Sequence, residues 1–153
     1  MRIWHWKLLP YLPDAQIRGQ WSELNSIFKK QTKHLLINYI YGYDRRELYY
    51  YAKLLLAERA RRGMRTLTLS NMEAYFSEFS KDQLADYDPE FDPGRPVFAK
   101  DHDDGYLAEC FFNLREKHRC GQADFSDGKY AALKEFVLDE LAPSDEVDIW
   151  VYD

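Results

Sequence analysis

Hydrophobic and polar positions along this chain recur with a helical period over most of its length. From Asp14, the expected helix cap, Ile17, Trp21, Leu24 and Phe28 recur at spacings of four, three and four. This draws one apolar stripe along a helix predicted to run to about Lys33. Glu23 falls off the stripe. At roughly 100° per residue it shares the outer face with Gly19, Ser22, Ser26 and Lys30, mostly small side chains that let another molecule approach. A second helix is predicted from Asp44, with Glu47 completing a capping box, to Gly63. Leu48, Tyr51, Ala52, Leu55 and Leu56 form its buried face. Its basic residues Arg45, Arg46, Lys53, Arg59, Arg61 and Arg62 are scattered around the axis. They supply a field and not a contact stripe.

Beyond Met64 the periodic segments are shorter. Ser70 is placed to cap a short helix through Phe79, and Asp82 to Gly94 reads as an acidic crossing loop broken by Pro89 and Pro93. Asp101 to Asp104 opens a helix through about His118, ended near Gly121. Ser126 opens another through about Leu141, stopped by Pro143. The tail Val147 to Tyr152 alternates as a short strand would. No internal repeat or low-complexity tract is visible. The predicted architecture is mainly α, a compact single-domain helical fold over residues 1–153 with little or no β.

At 153 residues, with 46% hydrophobic and 16% aromatic content, the chain can bury a sizeable core. Its net charge of −5 conceals an asymmetry: residues 1–66 hold 13 Lys and Arg against 5 Asp and Glu, while residues 67–153 hold 8 against 21. A basic half carrying Trp, Tyr and His is what a phosphate-tracking surface needs, because Lys and Arg release counterions from a nucleic-acid backbone. Mutual attraction of the two halves within one domain accounts for the asymmetry equally well. No apolar run reaches the length of a membrane span or signal segment, and Cys110 and Cys120 make no disulfide framework, so a soluble cytoplasmic protein without membrane contact is expected.

Candidate chemistry concentrates at the start. Met1-Arg2-Ile3-Trp4-His5 leads directly into apolar and aromatic residues, so the terminus is expected to be docked and its α-amine placed. With an unperturbed pKa of about 7.7–8.0, such an amine can act as a nucleophile at neutral pH. Other constellations are weaker. Cys110, His118 and Cys120 lack the fourth ligand of a usual zinc set, so thiols packed beneath a helix are the better reading, and neither metal nor cofactor is expected. In His102-Asp103-Asp104 the acids suit a helix start. The tyrosines at 39, 41, 43, 49, 50 and 51 could stack nucleobases, but most are expected in the core. There is no Gly-rich phosphate loop and no nucleophile-elbow serine, which removes the common nucleotide-binding and hydrolase classes.

Met1-Arg2-Ile3, Trp21-Ser22-Glu23-Leu24, Phe28, Lys33-His34 and the helix ending Glu58-Arg59-Ala60-Arg61-Arg62-Gly63 together resemble the pyrimidine-dimer DNA glycosylase family. The phage dimer-specific endonuclease is its type, and the Met-Arg-Ile-Trp-His-Trp start is closer to a bacterial branch. The resemblance is good over roughly residues 1–64 and loose thereafter. It implies a compact helical domain whose α-amine attacks the sugar C1′ of a damaged nucleotide, forms an imine and promotes strand cleavage as an AP lyase. On that basis Met1 and Glu23 are the catalytic pair. Arg2 would sit beside the reacting phosphodiester, helping with the rest of the basic half to lower the amine pKa. His5, Arg18, Lys30, Lys33 and His34 join Arg2 as the DNA-binding residues, and the implied partner is damaged duplex DNA.

The chain departs from the family pattern at named positions. Bulky Arg2 should leave Met1 in place, where the type member exposes a threonine after Met removal. Ser22 and the Asn25-Ser26 pair stand where the family carries phosphate-contacting arginines, and an acidic extension to Asp153 replaces its basic, aromatic carboxyl end. The reading from a different class is a non-catalytic nucleic-acid or protein-binding module that keeps the fold, its acidic half docking on the basic half of another copy.

Overall fold

A computed structural model of the chain describes residues 1–65 and 67–141. A 3-10 helix, Trp6–Tyr11, precedes α1 (Asp14–Lys30); a second, Asn38–Gly42, precedes α2 (Arg45–Arg61); and α3 (Ser70–Tyr75), α4 (Lys81–Ala85), α5 (Asp104–Arg119) and α6 (Asp127–Leu141) follow. No strand occurs among the described residues, and the fold is all helical, as the periodicity requires. No helix among them is long and apolar enough to cross a membrane. The predicted strand Val147 to Tyr152 and the stop at Pro143 lie outside the described residues.

The ends of α1 follow local chemistry. Pro13, not Asp14, holds the cap position, and with no side-chain cap of its own the helix takes one from across the fold, Asp124 Oδ2 accepting from the Ala15 amide at 2.7 Å. The helix stops at Lys30, three residues short of the predicted Lys33. Gln31 adopts left-handed φ 50° while its N–H donates to Ile27 O at 2.7 Å. Lys33 and His34 therefore sit in a loop, not on the helix.

Asp44 caps α2 through the Arg46 amide at 2.9 Å, but Glu47 does not close the expected capping box. Its Oε1 instead accepts from the Phe98 amide at 2.9 Å, tying α2 to the segment before α5. Beyond α2, Gly63 takes φ 69°, which only glycine adopts freely. Ser70 is the first residue of α3 rather than its cap, and the helix predicted through Phe79 stops at Tyr75. A capping box of Ser80 and Gln83 starts α4 inside the stretch read as acidic loop. Asp103 caps α5 through the Tyr106 amide at 2.8 Å, as its place in the acidic run suggests.

Ile17, Trp21, Leu24 and Phe28 of α1 are all buried, joined by Leu48, Tyr50, Tyr51, Ala52 and Leu55 of α2 and by Leu107, Phe111 and Leu114 of α5. Leu56, assigned to the buried face, is only partly covered, whereas Tyr50, outside that assignment, is buried. The first 3-10 helix packs on α2 and α6 and buries Leu8 and Leu9. At roughly 1.5–3 kcal/mol per buried aliphatic side chain, this anchors the terminal segment firmly.

The charge asymmetry is partly spent inside the molecule. Arg2 meets Glu109 at 3.8 Å, Lys7 meets Glu140 at 2.9 Å, Lys53 meets Asp88 at 3.7 Å, and Arg45 pairs with Glu78. Arg18, Lys29, Lys30 and Lys33 form no ion pair among the described residues. The cation surplus thus remains free along α1 and the loop after it.

Candidate functional site

The terminal segment crosses α1 at Gln20, a polar residue lying on the apolar stripe and 1% exposed. Gln20 Oε1 accepts from the Trp4 amide at 2.8 Å, and its Nε2 donates to Arg2 O and to Glu23 Oε2, both at 3.0 Å. The Tyr51 hydroxyl, within 2.8 Å of Gln20 Oε1 and 2.7 Å of Trp4 O, fixes the amide from below. On the opposite side the Tyr106 hydroxyl donates to Ile3 O at 2.6 Å. The first residues are thus held by hydrogen bonds from three helices while Ile3 and Trp4 are buried. A buried backbone requires such partners.

Glu23 completes the crossing. Its Oε2 accepts from the Arg2 amide at 3.3 Å, which places the Met1 nitrogen, one residue further, within roughly 7 Å of that oxygen by covalent geometry. Glu23 is half-buried, unlike the open-face carboxylate drawn from the helical wheel, because the terminal segment covers one side of it. Burial pushes its carboxyl above the ordinary range. The Arg2 amide, the Met1 amine, Gln20 and His34 all pull the other way. Amine, carboxylate and imidazole therefore share one electrostatic neighbourhood at the surface end of the crossing.

Behind it lies a neutral histidine pair. His102 Nδ1 accepts from the Trp6 amide at 3.2 Å, which leaves Nε2 as the N–H facing Tyr39 Oη at 2.7 Å. His5 Nδ1 likewise accepts from the Lys7 amide at 3.2 Å, and its Nε2 donates to His102 O at 2.9 Å. Burial holds His5 down to about 4 and His102 down to about 3. His5 is 2% exposed with both ring nitrogens occupied. The expectation that it faces DNA is corrected: it caps the first 3-10 helix and supports the terminus from within.

The other predicted DNA-binding residues fall on the outside. Arg18 and Lys30 are exposed on α1 beside Gly19, Ser22 and Lys29, an arc whose only acid is Glu23 at its edge. Lys33 and His34 are exposed in the following loop, which Tyr41 pins through its hydroxyl to Thr32 O and Asn38 pins through Oδ1 to the His34 amide at 2.8 Å. That loop also presents Leu35 and Leu36, 87% and 44% exposed. Arg2 is folded back, its guanidinium near the Trp4 and Tyr106 rings at 5.9 and 6.0 Å as well as Glu109. Gln20, Tyr106 and the exposed leucines escaped the sequence reading, which took His102 only as part of an acidic helix start. Gln20 carried a signal, a polar residue three positions after Ile17 on the buried stripe.

The remaining candidates disperse. Tyr50 and Tyr51 are buried, and Tyr39, Tyr41, Tyr43 and Tyr49 pack partly exposed against the core. Cys110 is buried on α5, whereas Cys120 is exposed at the C-cap of that helix, which corrects the reading of both thiols as packed beneath it. His118 stacks on Tyr130 with ring centroids 4.3 Å apart and meets Asp127 at 2.9 Å. Among the described residues no three His, Cys, Asp or Glu side chains converge as a metal site.

Residues 1–72 match the family model described as pyrimidine dimer DNA glycosylase. No match was found among curated proteins or among solved structures.

Proposed function

We propose that this chain, whose residues 1–72 match the pyrimidine dimer DNA glycosylase model, acts on damaged duplex DNA through its Met1 α-amine, first as a glycosylase and then as an AP lyase. The observation that carries this reading is the docked terminus, with Arg2 N bonded to Glu23 Oε2 on the helix that also exposes Arg18, Lys29 and Lys30.

In the proposed course, the unprotonated Met1 nitrogen gives its lone pair to C1′ while the glycosidic C–N bond breaks and the base leaves with that electron pair and a proton. Opening of the sugar ring and loss of the amine protons yield an imine between Met1 and C1′. Removal of the C2′ proton then expels the 3′ phosphate by β-elimination, and water hydrolyses the imine to free the amine. Glu23 suits the proton transfers, since a half-buried carboxyl lifted above its usual range exchanges protons more readily near neutral pH than a solvated one. Arg18, Lys29, Lys30, Lys33 and His34 would track the phosphates, and Leu35 and Leu36 offer apolar surface of the kind that wedges between base steps.

Borohydride trapping on duplex DNA with an abasic site tests the reading. A covalent adduct is expected with the native terminus and none after acetylation of the Met1 amine or addition of one residue before it. An adduct that survives the block makes an internal lysine the nucleophile and removes Met1 from the mechanism.

A further inference from the structure

The last turn of α2 contains an arginine that the fold leaves without a partner. Arg61 and Arg62 both bind Glu58, with Arg61 Nε at 3.0 Å and Arg62 Nε at 2.7 Å, and Arg62 also reaches Asp14 at 2.8 Å. Arg59 in the same turn is 6% exposed, and its buried Nε has no hydrogen-bond partner. Its charged neighbours are cations. Burial, then Arg65, then Arg18 all depress its guanidinium. Asp124, the acid that feels Arg18, is turned instead to the Ala15 amide and Gln122. Arg18 and Arg65 are exposed and unpaired among the described residues.

A buried Nε–H without an acceptor, in the field of two more arginines, is costly in the free protein, because polar surface is removed from water without an opposing group. The missing group is an anion that takes several N–H donors at once, which is the geometry of a phosphate with arginine. Arg18 lies five residues before Glu23 on α1, roughly 7.5 Å along the axis. That is about two nucleotide steps at 3.4 Å per strand step.

We propose that Arg18, Arg59 and Arg65 form an anchoring site for one backbone phosphate of the DNA, displaced along α1 from the Met1 and Glu23 centre. The site rests on the reading of DNA as substrate. It holds the phosphate from a buried position.

The test is the salt dependence of binding to undamaged duplex DNA. Arg59→Met keeps length and packing but removes the charge, and it should flatten the slope of log affinity against log salt by about 0.9, the value for one phosphate. Because the three arginines share that phosphate, Arg18→Ala combined with Arg59→Met should flatten it no further, whereas Lys33→Ala combined with Arg59→Met should be additive. The DNA-free melting temperature of Arg59→Met should equal or exceed that of the parent protein. An unchanged slope overturns the site, and a sharply lowered melting temperature with an unchanged slope makes Arg59 a structural residue. Should Arg59→Met fail to fold, Arg18→Ala and Arg65→Ala, both at exposed positions, carry the same slope test. A melting temperature raised by inorganic phosphate in an Arg59-dependent way, with the DNA slope unchanged, overturns the backbone assignment in favour of a small anion. An Arg59-dependent slope in a protein that forms no borohydride adduct leaves this site standing and removes the lyase reading.

Discussion

Arg2 and Glu23 meet main chain to side chain: the amide adjoining the terminal residue donates to Glu23 Oε2 at 3.3 Å. The carboxylate is thereby committed to the position of the terminus as well as to any proton transfer. Glu23→Gln preserves an acceptor for Arg2 and Gln20 but cannot titrate. Strand scission is expected to fall by roughly 10²-fold or more, the scale of a lost acid–base group, while duplex affinity persists. Single-turnover cleavage measured beside equilibrium binding checks both halves.

The same substitution has a pH signature. Burial raises the Glu23 carboxyl in the folded state, so its favourable contribution to stability is full below the unfolded value of about 4.3 and is lost as pH rises through the folded value. Glu23→Gln should therefore close on or overtake the parent protein in stability between pH 4 and pH 7. Denaturant midpoints at the two pH values decide it, and a parent advantage that grows with pH contradicts the assignment.

Gln20 offers a separate test because it exchanges no proton in the proposed course, although it holds both the terminal backbone and Glu23 Oε2, the latter at 3.0 Å. Gln20→Leu leaves the Trp4 amide and Arg2 carbonyl without their partners at 2.8 and 3.0 Å, at a cost of about 1–3 kcal/mol for each unsatisfied group. Faster amide exchange at Trp4, together with weaker adduct formation, is the expected outcome. Unchanged exchange at Trp4 would mean that the terminus is held by Tyr51 and Tyr106 alone.

The histidine pair makes the fold acid-sensitive. His5 at about 4 and His102 at about 3 are depressed below the ordinary 6.5, so the stability they contribute is present above pH 6.5 and is lost as pH falls toward the folded values. His102→Gln can still accept from Trp6 and donate to Tyr39 but takes up no proton. Its melting temperature should decline less steeply than that of the parent between pH 6.5 and pH 4.

The helical framework was legible because Ile17, Trp21, Leu24 and Phe28 repeat a period that burial enforces. The end of α1 was not, since the left-handed turn at Gln31 replaces a glycine signal with an ordinary residue. Glu47 mimicked a capping box whose second half goes to Phe98, a partner 51 residues away, and α4 hid in a run whose acids suggested solvent. Met1, Glu23, Lys33 and His34 could be named from the resemblance. The support beneath them comes from Gln20 and Tyr51, which lie on the buried stripes of α1 and α2, and from His102 and Tyr106, whose roles arise from contacts that no local pattern encodes. His5 was misplaced for the same reason: its type suggests DNA, while its ring serves Lys7 and His102.

The separation of those contacts also sets an order of events. Ile3 is bound by Tyr106 across 103 positions, and His5 by His102 across 97. During synthesis the first residues leave the ribosome well before α5 exists to receive them. Long-range closures of this kind come late, after their loop entropy has been met. The terminus is therefore made first and locked last, and a nascent chain lacking α5 carries the amine and Glu23 without the clamp that aligns them.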